Sequence, residues 1–219
     1  MTTRALTVAL PKGDAAFDID LEEAVDAWAM MPIAHGAGAG MNHAFLVGFA
    51  EGMRAEGVST ARFNFPYAQA GRRMPGPAAH AIATWRVVVE AVGSDLPLWA
   101  AGKSYGGRMA SMAVADGMGV SGLVYLGYPL HQPGKPDAPR AEHLPAIMVP
   151  QLFIEGTKDA FVDPHEQLED IVRALPAATI SWIEGGGHSF EVAGNKRPAD
   201  EIGASLAPLV ASLMRSNIG

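Results

Sequence analysis

The stretch from Leu96 to Ala115, LPLWAAGKSYGGRMASMAVA, constrains the fold more than any other part of the chain. It opens with a short apolar run, Leu96 to Ala101, too brief for a helix and long enough for a strand. It turns abruptly through Gly102-Lys103-Ser104-Tyr105-Gly106-Gly107, then continues as a helix-compatible segment with Met109, Met112 and Ala113 on one face. A serine at the apex of strand, glycine turn and helix is the layout of a nucleophile elbow. A serine in so strained a turn crowds the positions two before and two after it, and Gly102 and Gly106 carry no Cβ to clash there. The helix that follows aims its first backbone amides at the site, where they favour developing negative charge. The letters GKS also end a phosphate-binding P-loop. That motif needs a glycine five residues before Gly102, where Pro97 stands, and a flexible anion cradle where Leu98, Trp99, Ala100 and Ala101 stand. An isolated GxSxG also arises by chance around an ordinary turn serine, so the rest of the chain has to decide.

Taken in order, the chain alternates strand and helix signals. Strands are expected over Ala5–Leu10, Val25–Ala34, Ser59–Phe65, the run before Gly102, Val120–Gly127, Pro150–Glu155 and Thr179–Ile183. Helical spacing recurs over Met41–Glu56 (Leu46, Phe49, Ala50, Met53) and Ala78–Val92 (Ile82, Trp85, Val89, Val92). It returns after Asp163-Pro164, read as an N-cap with proline at the first helical position, and again from Ala199, where Pro208 is expected to kink or split the helix. Pro66–Pro77 reads as a loop, and Tyr128–Pro145, with five prolines, as irregular cover too small for a lid domain. Alternation of this kind predicts an α/β protein of three layers, with one doubly wound, mostly parallel sheet and a single domain over residues 1–219. In such sheets, sites gather at the carboxyl ends of the strands, and His35-Gly36, Ser104, Asp159 and His188 all fall at such ends.

Composition narrows the chemistry. With 49% hydrophobic and 18% charged residues, the 219-residue chain is long enough to bury a full core. A formal net charge of −7 argues against a broad nucleic-acid surface, and no nucleic-acid partner is expected. There is no cysteine, which excludes disulfides, thiolate metal sites and cysteine nucleophiles. The first residues lack the apolar core of a signal peptide, and no stretch approaches the ~18 apolar residues that cross a bilayer. A soluble, cytoplasmic protein without a membrane partner is the expectation.

A serine hydroxyl is a poor nucleophile near neutral pH and needs a base beside it. Histidine is the natural base, and a carboxylate fixes its tautomer and stabilises the imidazolium. The chain supplies Ser104, Asp159 and His188 in that order, each after an expected strand, with whole strand–helix units between them. Three positions in that order are far more specific than GxSxG alone. Asp159 competes with Glu155, inside a strand, and with Asp163, which has a capping role to fill. Acyl transfer also needs donors for an oxyanion: the amide of Tyr105 is one, and the loop His35-Gly36-Ala37-Gly38-Ala39-Gly40 supplies the second through Ala37. That loop lacks the GxGxxG spacing of a dinucleotide cradle, and His35 and His43 lack the spacing of a zinc helix, so His35 reads as a brace. No metal and no cofactor is implied.

With those residues in view, the chain from about Ala27 onward resembles the α/β-hydrolase superfamily, and more narrowly small dienelactone-hydrolase-like proteins with no large cap. One branch of these carries patterns close to HGAGAGMN, NFPY, GKSYGGRM, GYPLHQPGKP and GTKDAFVDP, all present here, and includes a subunit of the nonspecific-lethal chromatin complex of animals. The resemblance implies Ser104, Asp159 and His188 as triad and Ala37 and Tyr105 as oxyanion amides. The chain departs from dienelactone hydrolase at the nucleophile, cysteine there and Ser104 here, so dienelactone is not carried over as substrate. Esterase, thioesterase and peptidase-like activity all fit the same triad.

The expected activity is hydrolysis of a carboxylic ester or related small-molecule acyl substrate, in an open pocket drawing on Tyr67, Tyr128, His131 and Phe161. Arg72, Arg73 and Lys135 are read as solvated surface charges in preference to a carboxylate-attracting group. The competing expectation is a non-catalytic interaction module on a hydrolase scaffold.

Overall fold

The computed structural model describes residues 2–218. Its strands are β1 (Thr2–Val8), β2 (Ala15–Glu22), β3 (Ala29–Ala34), β4 (Val58–Phe63), β5 (Trp99–Lys103), β6 (Gly122–Leu126), β7 (Gln151–Gly156) and β8 (Ala178–Ile183). Its helices are α1 (Ala44–Ala55), the single turn α2 (Pro66–Gln69), α3 (Ala78–Val92), α4 (Tyr105–Ala115), α5 (His165–Ala174) and α6 (Ala199–Arg215). The eight strands form one sheet in the order β1-β2-β4-β3-β5-β6-β7-β8. From β4 to β8 every pairing is parallel, while β2 runs antiparallel to both of its neighbours.

The central strands β3 to β7 are buried at every position, because helices cover both faces of the sheet, and they read as nearly continuous apolar runs. Successive side chains still go to opposite faces. Trp99 and Ala101 of β5 join Val124 and Leu126 of β6 under α1 and α6, while Ala100, Leu123 and Tyr125 join the other face under α3, α4 and α5. This layout carries the expected three-layer, mostly parallel α/β architecture.

Several local expectations change. The eighth strand is β2, whose sequence AAFDIDLE alternates apolar and acidic residues; Phe17 and Ile19 are fully buried by that alternation. The strand expected over Val25–Ala34 begins only at Ala29, and Val25 is 86% exposed. The first strand likewise runs earlier than Ala5–Leu10, and the loop Pro66–Pro77 contains α2. Asp163 is not a cap: Pro164 occupies the N-cap position of α5 and no side chain bonds the helix start. Pro208 neither splits nor ends α6, which runs unbroken through it. Proline removes one amide hydrogen bond of the helix, whereas Ile202, Leu206, Val210 and Met214 bury a whole face against α1 and the sheet.

The topology dictates where a site can form. From β3 the chain steps to β4 on one side, then crosses to β5 on the other. Loops leaving β3 and β5 therefore diverge to opposite faces and open a crevice at the carboxyl edge of the sheet.

Candidate active site

Ser104 follows β5 at that crevice. Its backbone lies at φ +49° and ψ −114°, a conformation that costs a non-glycine residue about 1–3 kcal/mol. The turn is held by the Ser104 amide donating to the Leu126 carbonyl (3.0 Å) and by the Arg108 amide donating to the Ser104 carbonyl (3.1 Å). The crossing of strand and helix leaves no space for side chains beside the serine. A Cβ on Gly102 would lie 2.2 Å from the Gly107 nitrogen, and one on Gly106 would lie 2.6 Å from the His35 carbonyl oxygen.

Two further loops bring side chains to Ser104. Asp159 sits in the turn after β7, 1% exposed, with Oδ1 accepting the Phe161 amide at 2.8 Å. His188 follows β8 at the end of a triple-glycine loop. That loop runs against the end of β7 so closely that a Cβ on Gly156 would stand 2.2 Å from the Gly186 carbonyl oxygen, and the Lys158 amide donates to the same carbonyl at 2.8 Å. The close approach sets His188 Nδ1 2.6 Å from Asp159 Oδ2 and His188 Nε2 2.8 Å from Ser104 Oγ. With the Asp159 carboxylate accepting a hydrogen bond from Nδ1–H, Nε2 presents its lone pair to the serine hydroxyl. Phe161 tilts over the imidazole with ring centroids 4.2 Å apart.

The loop after β3 completes the crevice. His35 is fully buried; its Nε2 accepts the Phe65 amide at 3.1 Å, which leaves Nδ1–H to donate to the Gly36 carbonyl at 2.8 Å. Burial holds its pKa below the usual histidine value. In a trans peptide the carbonyl and the next amide point in opposite directions, so pinning the Gly36 carbonyl turns the Ala37 N–H away from His35. Ala37 and Tyr105 both border the cavity beside Ser104.

That cavity, about 390 Å³, is also bordered by His43, Phe45, Leu46, Lys103, Arg108, Pro129, Arg140, Phe161 and His188. Of the four expected pocket aromatics, only Phe161 reaches it. Tyr67 is packed against His35 and borders a neighbouring groove. Tyr128 is fully buried, its Oη donating to the Arg140 carbonyl (2.7 Å) and its amide to Glu155 Oε1 (2.6 Å). The His131 side chain is also fully buried, and its amide donates to the Phe161 carbonyl at 3.1 Å. Tyr128 and His131 thus anchor the proline-rich segment that carries Pro129 and Arg140 to the rim.

Glu155, the competing acid, is fully buried and bonded to Tyr128, with its pKa raised by burial, and makes no bond to His188. Arg72, Arg73 and Lys135 are exposed and lie outside the cavity. The cations that do border it are Lys103, Arg108 and Arg140. Arg108 stands four residues after Ser104, one turn on along the same helix face, a spacing legible in the sequence. Arg140 had no such signal. Among the described residues no cluster of three His, Asp or Glu side chains forms a metal site, and no helix is long and apolar enough to cross a membrane.

A strained serine at a strand–helix turn, on a parallel sheet with this strand order, defines the α/β-hydrolase class. The sequence profile of the alpha/beta hydrolase domain matches residues 27–211, and the chain belongs to that family. It is similar in structure to an alpha-beta serine hydrolase homologue from Coxiella burnetii, with 19% identity and a TM-score of 0.71 over 100% of this chain and 99% of that one. A serine hydrolase without lid from Xanthomonas campestris aligns at 21% identity and a TM-score of 0.70, covering 97% and 95% of the two chains. Dienelactone hydrolase from Anabaena variabilis aligns at 17% identity and a TM-score of 0.73, covering 100% and 99%. Among the described residues no lid domain interrupts the sheet, as in the Xanthomonas protein.

Proposed function

We propose that the chain, as one domain of residues 1–219, is a serine hydrolase acting on a carboxylic ester or related small acyl substrate. Ser104, His188 and Asp159 form its triad, and the amides of Ala37 and Tyr105 form its oxyanion hole. The reading rests above all on the unbroken relay from Asp159 Oδ2 through His188 to Ser104 Oγ, with links of 2.6 and 2.8 Å between residues far apart in sequence.

In this mechanism Nε2 of His188 takes the hydroxyl proton as Ser104 Oγ attacks the acyl carbon. Asp159 holds the tautomer and stabilises the imidazolium. Negative charge on the tetrahedral oxygen meets the amides of Ala37 and Tyr105, the latter at the positive start of α4. His188 returns the proton to the leaving alkoxide, thiolate or amine, and the acyl group remains on Ser104. Water, activated by the same imidazole, attacks the acyl-enzyme and frees the acid. The open rim, with only a proline-rich segment as cover, suits a small or exposed substrate.

The motifs HGAGAGMN, NFPY, GKSYGGRM, GYPLHQPGKP and GTKDAFVDP support the further proposal that the chain belongs to the dienelactone-hydrolase-like branch that includes the chromatin-complex subunit. A pure interaction module on this scaffold would have no use for a strained serine turn, which lowers stability without serving a surface.

Labelling with a fluorophosphonate probe, read by mass spectrometry, tests the proposal. A single adduct on Ser104, lost or greatly slowed in His188→Ala, is the expected result. Folded wild-type protein that stays unlabelled overturns it.

A further inference from the structure

The cavity beside Ser104 has a charge composition unlike the rest of the molecule. The chain carries 23 acidic residues against 16 lysines and arginines, yet no Asp or Glu borders this cavity, while Lys103, Arg108 and Arg140 do. Lys103 is already committed, its Nζ donating to the His188 carbonyl at 2.6 Å. The two arginines are not: among the described residues neither guanidinium makes an ion pair or a side-chain hydrogen bond, and Arg108 Nε is buried without a partner.

Other arginines that the fold half-buries or buries are satisfied. Arg54 pairs with Glu22, Arg62 with Asp20 and Glu22, and Arg86 with Asp116. An unsatisfied buried donor lowers stability unless something outside the chain completes it. Arg108, on α4, and Arg140, on the proline-rich segment, border the same cavity from two different parts of the chain. Phe45 and Leu46 supply the apolar part of the wall.

We propose that Arg108 and Arg140 form a carboxylate-binding subsite, so that the substrate is a short acyl ester carrying a free carboxylate, such as the monoester of a small dicarboxylic acid. This rests on the hydrolase reading for the reaction itself. Guanidinium forks match carboxylate geometry and give the strong, charge-assisted form of hydrogen bond. A cationic cleft in a protein of net charge −7 also attracts an anion selectively to that one opening. The subsite lies about one helical turn from the nucleophile, because Arg108 follows Ser104 by four residues on α4. That distance favours a carboxylate only a few bonds from the scissile carbonyl. Hydrolysis of the monoester anion consumes one water and releases the dicarboxylate, the alcohol and one proton.

The test compares 4-nitrophenyl hemiglutarate with its uncharged methyl ester. The ratio of kcat/KM for the two is expected to favour the hemiester by about tenfold or more at low salt and to shrink as salt is added. Arg140→Gln and, separately, Arg108→Gln are expected to lower that ratio by about tenfold, while Lys135→Gln, exposed and outside the cavity, leaves it unchanged. A wild-type ratio near one, or a ratio untouched by both arginine variants, overturns the subsite. Calorimetry of glutarate binding to Ser104→Ala protein separates the two readings. Binding that is lost in the added Arg140→Gln change supports the subsite even if Ser104 proves unreactive. Labelling of Ser104 without glutarate binding removes the subsite and leaves the hydrolase.

Discussion

Lys103 Nζ donates to the backbone carbonyl of His188 at 2.6 Å. The residue just before the candidate nucleophile thus holds the loop that carries the candidate base. Burial lowers the Lys103 pKa to about 8, and the charges of Asp159, Glu155 and Glu191 oppose that fall. Replacing it with methionine keeps the apolar stem and removes the tether. Lys103→Met is expected to reduce kcat by about tenfold with a smaller change in KM, because His188 is then held less well against Ser104. Steady-state kinetics on the best ester checks this.

The same lysine makes stability depend on alkaline pH. Its folded pKa of about 8 lies below its unfolded value of 10.5, so between those values the unfolded chain binds more protons. Stability of the wild type relative to Lys103→Met should therefore rise as pH increases from 8 towards 10.5, with a slope of at most ~1.4 kcal/mol per pH unit. Urea unfolding of both proteins across that range measures the difference. A relative stability that falls with pH would reverse the assignment.

His35 predicts the opposite end of the scale. Its Nε2 accepts the Phe65 amide, and protonation abolishes that acceptor inside the core. Its folded pKa lies below its unfolded value of 6.5, so stability is lost as pH falls through that value and below. His35→Phe should flatten this acid limb in denaturation curves. It should also be less stable than wild type near neutrality by about 1–3 kcal/mol, through the Phe65 amide left without its acceptor.

Asp159→Asn keeps size and shape but removes the carboxylate that selects the His188 tautomer. If the triad operates, kcat should fall by about 10⁴-fold while the melting temperature shifts little. A fall of less than tenfold would mean that Asp159 does not orient the base.

Gly102→Ala adds one methyl group where the strand meets the helix, with the Gly107 nitrogen 2.2 Å away. Backbone on both sides has to move. We expect a loss of about 2–4 kcal/mol and a matching loss of Ser104 labelling, measured by chemical denaturation and mass spectrometry.

Much of this molecule was legible in its residue order, because the signals concerned are local. Strand periods, helix faces and the glycine-flanked serine depend on neighbours within a few positions. So Leu96–Ala115 could be read as strand, turn and helix, and Ala78–Val92 as a helix with its bounds. The order Ser104, Asp159, His188 could likewise be read as three strand ends. Missed local features, such as β2, were present as alternation in AAFDIDLE; the Asp163 cap and a break of the last helix at Pro208 failed because packing overrode local preference.

The lining of the cavity was decided differently. Tyr67, Tyr128 and His131 lie near the rim in sequence, but the fold turns them inward to brace His35 and the proline-rich segment. Arg108 and Arg140 reach the opening because α4 and that segment are joined, Ser111 Oγ lying 2.7 Å from His143 Nε2. Local chemistry sets what each short segment prefers; which side chain faces a shared cavity depends on contacts between segments far apart in the chain, and only packing the whole sheet with its helices resolves them.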